Sequence, residues 1–411
     1  MAMEAADRRR LLLAAMLVDT LGGGLLTPFE LVYALKIAHL SLPTAGLVVS
    51  AAAFAGIAVG PLAGAAVDRV GALGIVALAN VLGMAGCASL LLWANGYGYG
   101  LGAFFLSTNM RVFWAAFTPL VASIASGSEL ERWFGRLRAA RYIGIVSGEA
   151  LSGLVLLAGI GTGLRLLVAA NGASFAAALT LVLAAAPGQA QVAAVDEDGA
   201  ALKGGYRQVV ADRVNLAAAA LNVAATLLLI APILVLPVFI LERLHLPTWL
   251  PGLVSAFLTA TAAAGLLFGG RLVRGRRRLR NLAIAASLWA VACATFLLAL
   301  AGPALAYGAL FAGALLLGVG EAIYAPTADA LAVTLAPLEL RGRYAAVHQM
   351  AWGVSETISP MLGAATLAAS SVAPWLTLAV IAALSAAAYR ALEQAAGGRD
   401  GIAGAEVAGG E

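Results

Sequence analysis

Asp19, Glu30, Arg111, Glu149, Glu321 and Glu356 are ionisable residues set inside long apolar stretches. An ionised side chain within hydrocarbon costs about 2.5–3.5 kcal/mol on insertion scales, so each must be paired, protonated or bathed in water. Counting helical rise inward from the ends of these stretches places Asp19, Arg111, Glu149 and Glu356 near mid-depth. Glu321 falls towards one surface and Glu30 towards the other. Asp19 and Arg111 could neutralise each other as a buried pair that only fixes helix register. Arg111 cannot also neutralise Glu149, Glu321 and Glu356. An acid whose contact with an arginine changes can load and release a proton. The expected chemistry is therefore proton coupling through Asp19, Arg111, Glu149, Glu321 and Glu356. A substrate cavity is expected around Glu30, Trp114, Asn222 and Trp352, with plain packing as the alternative for the two tryptophans. His348, near the start of its stretch, could relay protons or sit hydrogen-bonded at an interface.

Other chemistries lack their residues. There is no GxxxxGK[ST] phosphate loop and no close His/Cys cluster, so neither nucleotide nor metal chemistry is expected, and no cofactor. Cys87 and Cys293 each lie in an apolar run and read as small packing residues. No nucleophile–base pattern emerges, and an enzyme is not expected.

The elements that must hold these groups are membrane helices. Of 411 residues 62% are hydrophobic and 11% charged, too few charges to solvate a soluble surface. A span needs roughly 20 apolar residues. Candidates are 11–35, 44–67, 72–93, 97–124, 137–157 and 164–186, then 214–241, 249–268, 281–301, 304–335, 344–367 and 373–389. The expected organisation is a six-helix bundle over 1–186, a cytoplasmic linker over 187–213, a second bundle over 214–395 and a disordered tail over 396–411. Trp93, Trp249 and Trp375 at span ends read as interfacial anchors. Of the 25 Lys and Arg, only Lys36, Arg165 and Arg243 fall on the outer side, with Arg111 inside a span. That bias puts both termini in the cytoplasm. The basic run 271–280 is then a topology determinant, and nucleic acid is not an expected partner. Arg8-Arg9-Arg10 lead into a first span too long for a signal-peptide core, so no cleaved leader is expected. Abundant Ala, and Arg in place of Lys, point to a GC-rich bacterium and its inner membrane.

The halves echo each other. Leu40-Ser-Leu-Pro-Thr44 matches Leu244-His-Leu-Pro-Thr248, and Pro28 matches Pro232. Gly135-Arg136 precedes Glu149 as Gly342-Arg343 precedes Glu356. In order and at nearly one offset, these argue for two repeats.

Gly64-Ala-Ala-Val-Asp68-Arg69-Val-Gly71 resembles the signature loop GxLaDrxGrk of the major facilitator superfamily, without its final basic pair. Leu21-Gly22 with Pro28 resembles that family's first-span pattern. Gly144-Ile-Val-Ser-Gly148-Glu149-Ala-Leu-Ser152-Gly153 is similar to the antiporter motif gxxxGPxxGG, with Glu149 at the Pro position. Gly320-Glu321, Pro326 and Ala336-Pro337 through Arg341-Gly342-Arg343-Tyr344 resemble a pattern of bacterial efflux members. The resemblance runs from about Arg8 to Arg390 and is to the twelve-helix drug–proton antiporters. It implies two pseudo-symmetric six-helix bundles, a monomer, a conformational latch at Gly64, Asp68, Arg69 and Gly71, and a coupling role for Arg111. The function implied is export of a small amphipathic or hydrophobic compound by proton antiport. Proton-linked uptake, a dedicated metabolite carrier and a non-transporting receptor or scaffold are the alternatives.

Overall fold

Apolar runs of this length can satisfy their backbone without water only by closing it within each segment, as helices. The computed structural model describes residues 5–122, 128–185, 206–337 and 340–401, and its regular elements there are helical. Residues 187–205 of the expected linker (187–213) and residues 402–411 of the expected tail (396–411) lie outside the described residues.

Helix α1 (Ala5–Leu26) breaks at the 3-10 turn Thr27–Phe29, where Pro28 lacks an amide to donate, and resumes as α2 (Glu30–Lys36). Together they form one span. Then follow α3 (Leu42–Val70), α4 (Ala72–Leu92), α5 (Gly96–Ala122), α6 (Ser128–Leu156) and α7 (Ile160–Ala184). After the short α8 (Tyr206–Ala211) come α9 (Arg213–Val238), prolonged by the π turn Phe239–Arg243, and α10 (Leu250–Val273). Helices α11 (Arg278–Leu298), α12 (Pro303–Leu335), α13 (Arg341–Ala369) and α14 (Ala373–Ala395) complete the chain.

Among the described residues, 9 helical segments are long and apolar enough to cross a membrane. Helices α5 and α13, which carry Arg111 and Glu356, are as long, at 27 and 29 residues, but are not among these nine. With α10, whose apolar part is Leu250–Gly265, they make a twelve-helix, all-α integral membrane protein.

Packing groups the helices into two compact units, Met1–Glu197 with Leu236–Ala256, and Asp198–Val235 with Phe257–Glu411. In the first, α4 lies against α5 and α7, and α1 against α6 and α7. In the second, α11 lies against α12 and α14. The third span of each half thus packs on its fourth and sixth. The first span of each half also ends alike. His39 and His245 take left-handed φ values of 54° and 52°, while the amides of Leu40 and Leu246 donate back to the carbonyls of Ala34 and Ile240. Each helix thus ends on a left-handed residue, histidine where glycine is usual.

Trp375 departs from its expected place at the membrane interface. It is fully buried, its ring 4.6 Å from that of Phe296. A span-end tryptophan can face a neighbouring helix as readily as lipid, and hydropathy does not distinguish the two.

The chain beyond α14 is held rather than free as far as Gly401. Arg278 donates to the Asp400 carbonyl at 3.1 Å, the Leu279 amide donates to the Asp400 carboxylate, and Arg399 forks onto Asp212. Asp212 is also the N-cap of α9, accepting from the amides of Val214 and Asn215 at 3.1 and 3.2 Å. Burial alone would raise the Asp212 carboxyl pKa, but hydrogen bonds from Arg399, the Asn215 amide and the Tyr344 hydroxyl outweigh it and hold it below the ordinary carboxylate value. A depressed folded-state pKa contributes stability above the unfolded value, and that contribution is lost as pH falls through the folded one. Asp212→Ala is expected to remove roughly 1–2 kcal/mol, the worth of a helix cap. Its apparent Tm should lie below wild type at neutral pH, and the two should converge below about pH 4. A gap unchanged by acid would show that the charge contributes nothing.

Candidate functional site

In the first unit the acid of α1 lies within electrostatic reach of an arginine of α6. Asp19 lies in the field of Arg141, whose guanidinium stacks 5.2 Å over the ring of Trp114 on α5. By sequence, Arg141 counts only among the cytoplasmic arginines, although it stands inside the fifth apolar stretch. Its position four residues beyond Leu137 was the signal available. Arg111, one turn before Trp114, runs its stem towards Gly56 of α3, where an added Cβ would stand 3.7 Å from Arg111 Cγ. Asp19 also borders a void of about 20 Å³ with Asn80 and Phe113. Asn80 donates to the Val76 carbonyl at 2.8 Å, and its buried Oδ1 has no partner. A void of this size has room for one water, which would serve both groups.

The glycine-rich segment of α6 packs closely on two sides. A Cβ on Gly144 or Gly148 would fall inside contact distance of the α1 backbone at Leu17 and Leu21, and one on Gly24 would meet the Ile145 carbonyl. On the opposite side, Gly153 abuts the Trp249 backbone, and Gly252 of α10 abuts Ser152 and the Glu149 carbonyl. Small residues let the backbones approach this closely. Glu149 is buried at 5% exposure in this seam. Glu30 opens α2, half-buried, and its carbonyl accepts from Tyr99 at 3.5 Å. At the rim near Glu30, Lys36 pairs with Glu242 at 2.9 Å.

The segment read as a latch is helical almost to its end. Gly64, Asp68 and Arg69 lie in the last turns of α3, Arg69 exposed, and Gly71 alone breaks the helix. Gly71 has φ 84° and ψ 154°, a region closed to residues with a Cβ, while its amide donates to the Val67 carbonyl at 2.8 Å. Gly71→Ala is expected to cost about 1–3 kcal/mol of strain. Thermal melts in detergent would show it, and an unchanged Tm would mean that the turn relaxes.

In the second unit α9, α12 and α13 enclose a cavity of about 280 Å³ lined by Asn222, Tyr324, Asp329, His348, Gln349 and Trp352. Asn222 and Trp352, expected to share a cavity, lie on this one. Asn222 is the keystone. Its Oδ1 accepts from the Tyr324 hydroxyl at 2.6 Å, and its Nδ2 donates to the His348 carbonyl at 3.1 Å. One turn on, Thr226 and Ser355 share a hydrogen bond of 2.7 Å, and Ser355 donates to the Val223 carbonyl. These bonds clamp α13 to α9. Glu321 and Asp329 both act electrostatically on Tyr324, and Glu356 lies half-buried one turn beyond Trp352. Tyr324, Asp329 and Gln349 have no distinguishing sequence pattern. They enter the site only because three helices converge.

The family model described as Major Facilitator Superfamily matches residues 11–311. No curated protein sequence is matched. Among solved structures, a mutant of the nucleoside transporter NupG superposes with a TM-score of 0.80 at 14% identity, covering 94% of this chain and 99% of that one. A bacterial homologue of the human lysosomal transporter Spinster, inward-facing and occupied, gives 0.74 at 15% identity over 95% and 98%. A POT family transporter in complex with a thioalcohol-conjugated peptide gives 0.73 at 14% identity over 94% and 96%.

Proposed function

Because the chain belongs to the major facilitator superfamily of membrane transporters, we propose that it is a proton-driven exporter of a small amphipathic or hydrophobic compound, a drug or natural product. The observation that carries the reading is the charged seam of the first unit. Asp19 and Arg141, on the two helices of the glycine-packed α1–α6 crossing, lie within electrostatic reach of each other, and the Arg141 guanidinium lies over the Trp114 ring. A carboxylate and an arginine on two helices that can slide are the parts needed to exchange a proton for a change of packing. Arg111, Glu149, Glu321 and Glu356 are the further coupling groups in this proposal. Gly64, Asp68, Arg69 and Gly71 hold one state closed. Alternating access moves the substrate, with both termini in the cytoplasm of a bacterium and the protein acting as a monomer.

The measurement is proton movement evoked by lipophilic cations and neutral antibiotics added to proteoliposomes that hold a pH dye. Proton efflux that a compound evokes in wild type and that vanishes in Asp19→Asn supports antiport. Compound flux without proton movement rejects it. A second reading, uptake of a polar metabolite, draws support from the structural neighbours, which include a nucleoside transporter and a peptide transporter. Proton movement in the same direction as the compound would favour it.

A further inference from the structure

Both ring nitrogens of His348 are buried without a hydrogen-bond partner, although the residue is 6% exposed and borders the cavity of about 280 Å³. Burying an imidazole unsatisfied is costly. The feature therefore calls for an occupant of the cavity: a water or a proton carrier. The surroundings define which charge the cavity favours. From α12 the cavity presents Asp329 and the Tyr324 hydroxyl, the latter already given to Asn222. From α9 it presents only the neutral Asn222, and from α13 itself Gln349 and Trp352. Beyond Tyr324 lie Glu321 of the same helix and Tyr389 of α14, both within electrostatic reach of it. Towards the start of α13, Tyr344 is bound to Asp212, whose charge Arg399 already balances. The cavity wall thus supplies a carboxylate to an imidazole with two open nitrogens.

From this arrangement we infer that His348 is a proton-binding residue of the second unit, exchanging protons through the polar cavity it shares with Asp329. The role rests on the proton-coupled reading above. It adds a group that sequence alone left as either a proton relay or a hydrogen-bonded interfacial histidine. The hydrogen bond that the Asn222 side chain donates to the His348 carbonyl fixes the main chain at the edge of the cavity. A proton arriving from the cavity would occupy one ring nitrogen, and the other would donate to water or to Asp329.

The chain has 3 histidines, and His39 and His245 lie exposed at the two left-handed helix ends. Asparagine tolerates their left-handed backbone. The double variant His39→Asn, His245→Asn therefore leaves His348 as the single histidine for ¹³C or ¹⁵N NMR of the full-length protein in nanodiscs. The expected result is a titration of the His348 ring within about pH 5 to 8, the range over which histidine switches charge. Its midpoint should fall in the added Asp329→Asn background. A ring that stays neutral across the range would overturn the inference, and so would a midpoint indifferent to Asp329. Should the double variant fold poorly, spectra of the labelled wild type, with His348 assigned by its loss in His348→Gln, read the same titration. If His348 titrates as expected while no compound moves protons in wild-type proteoliposomes, the antiport reading fails and the proton site stands.

Discussion

Gly148→Leu is expected to abolish transport and to lower the yield of folded protein. The Leu21 carbonyl and the Leu25 amide of α1 occupy the place where any side chain at position 148 would begin. Backbone atoms cannot rotate away as a flexible side chain can, so α1 and α6 must separate along the whole crossing. Overpacking usually costs about 1–3 kcal/mol, and a leucine driven against backbone belongs at the upper end. Gly24→Leu, on the facing helix, should do the same because it meets the Ile145 carbonyl. The control is Gly308→Ala on α12, where no described atom lies within 4 Å of the added Cβ; its apparent stability should stay within about 1 kcal/mol of wild type. Fluorescence-detected gel filtration and apparent Tm would separate the cases. A well-folded, active Gly148→Leu would mean that the two helices do not need this distance.

The second large effect concerns Asp19 and Arg141. Asp19→Asn is expected to bring pH-gradient-driven transport to the level of empty liposomes, while substrate exchange, which moves no net proton, stays within a few-fold of wild type. Arg141→Ala should do more harm, because it removes both the counter-charge of Asp19 and the cation over Trp114. Each single variant removes one side of the Asp19–Arg141 electrostatic interaction, so the double variant should be less unstable than the sum of the two. The expected coupling is within about 0.5–3 kcal/mol, measured as apparent unfolding free energy. Strict additivity would mean that Arg141 answers to another group, and gradient-driven transport surviving in Asp19→Asn would remove Asp19 from coupling. Comparing the two readouts matters, since a folding defect lowers exchange and gradient-driven flux together.

The spans were legible in the sequence because hydrocarbon imposes one rule on every segment: enough apolar residues, each with its backbone bonded internally. The expected stretches 72–93 and 304–335 meet the observed Ala72–Leu92 and Pro303–Leu335 almost residue for residue. The repeat was legible too, through Leu-Pro-Thr segments that follow the two histidine caps. The family resemblance rested on motifs both at helix ends, as at Gly71, and within helices, as at Gly144–Gly153. Contacts between helices were not legible, because a helix presents a residue to one of several neighbours and hydropathy weighs all of them alike. Arg141 acts on Asp19, Trp375 turns inward onto Phe296, and His348 lines a cavity made by α9 together with the consecutive α12 and α13. Composition and spacing determine that this chain is a twelve-helix membrane protein with charges at depth. Which charges meet is a property of helix rotation and crossing, set by where glycine lets two backbones touch.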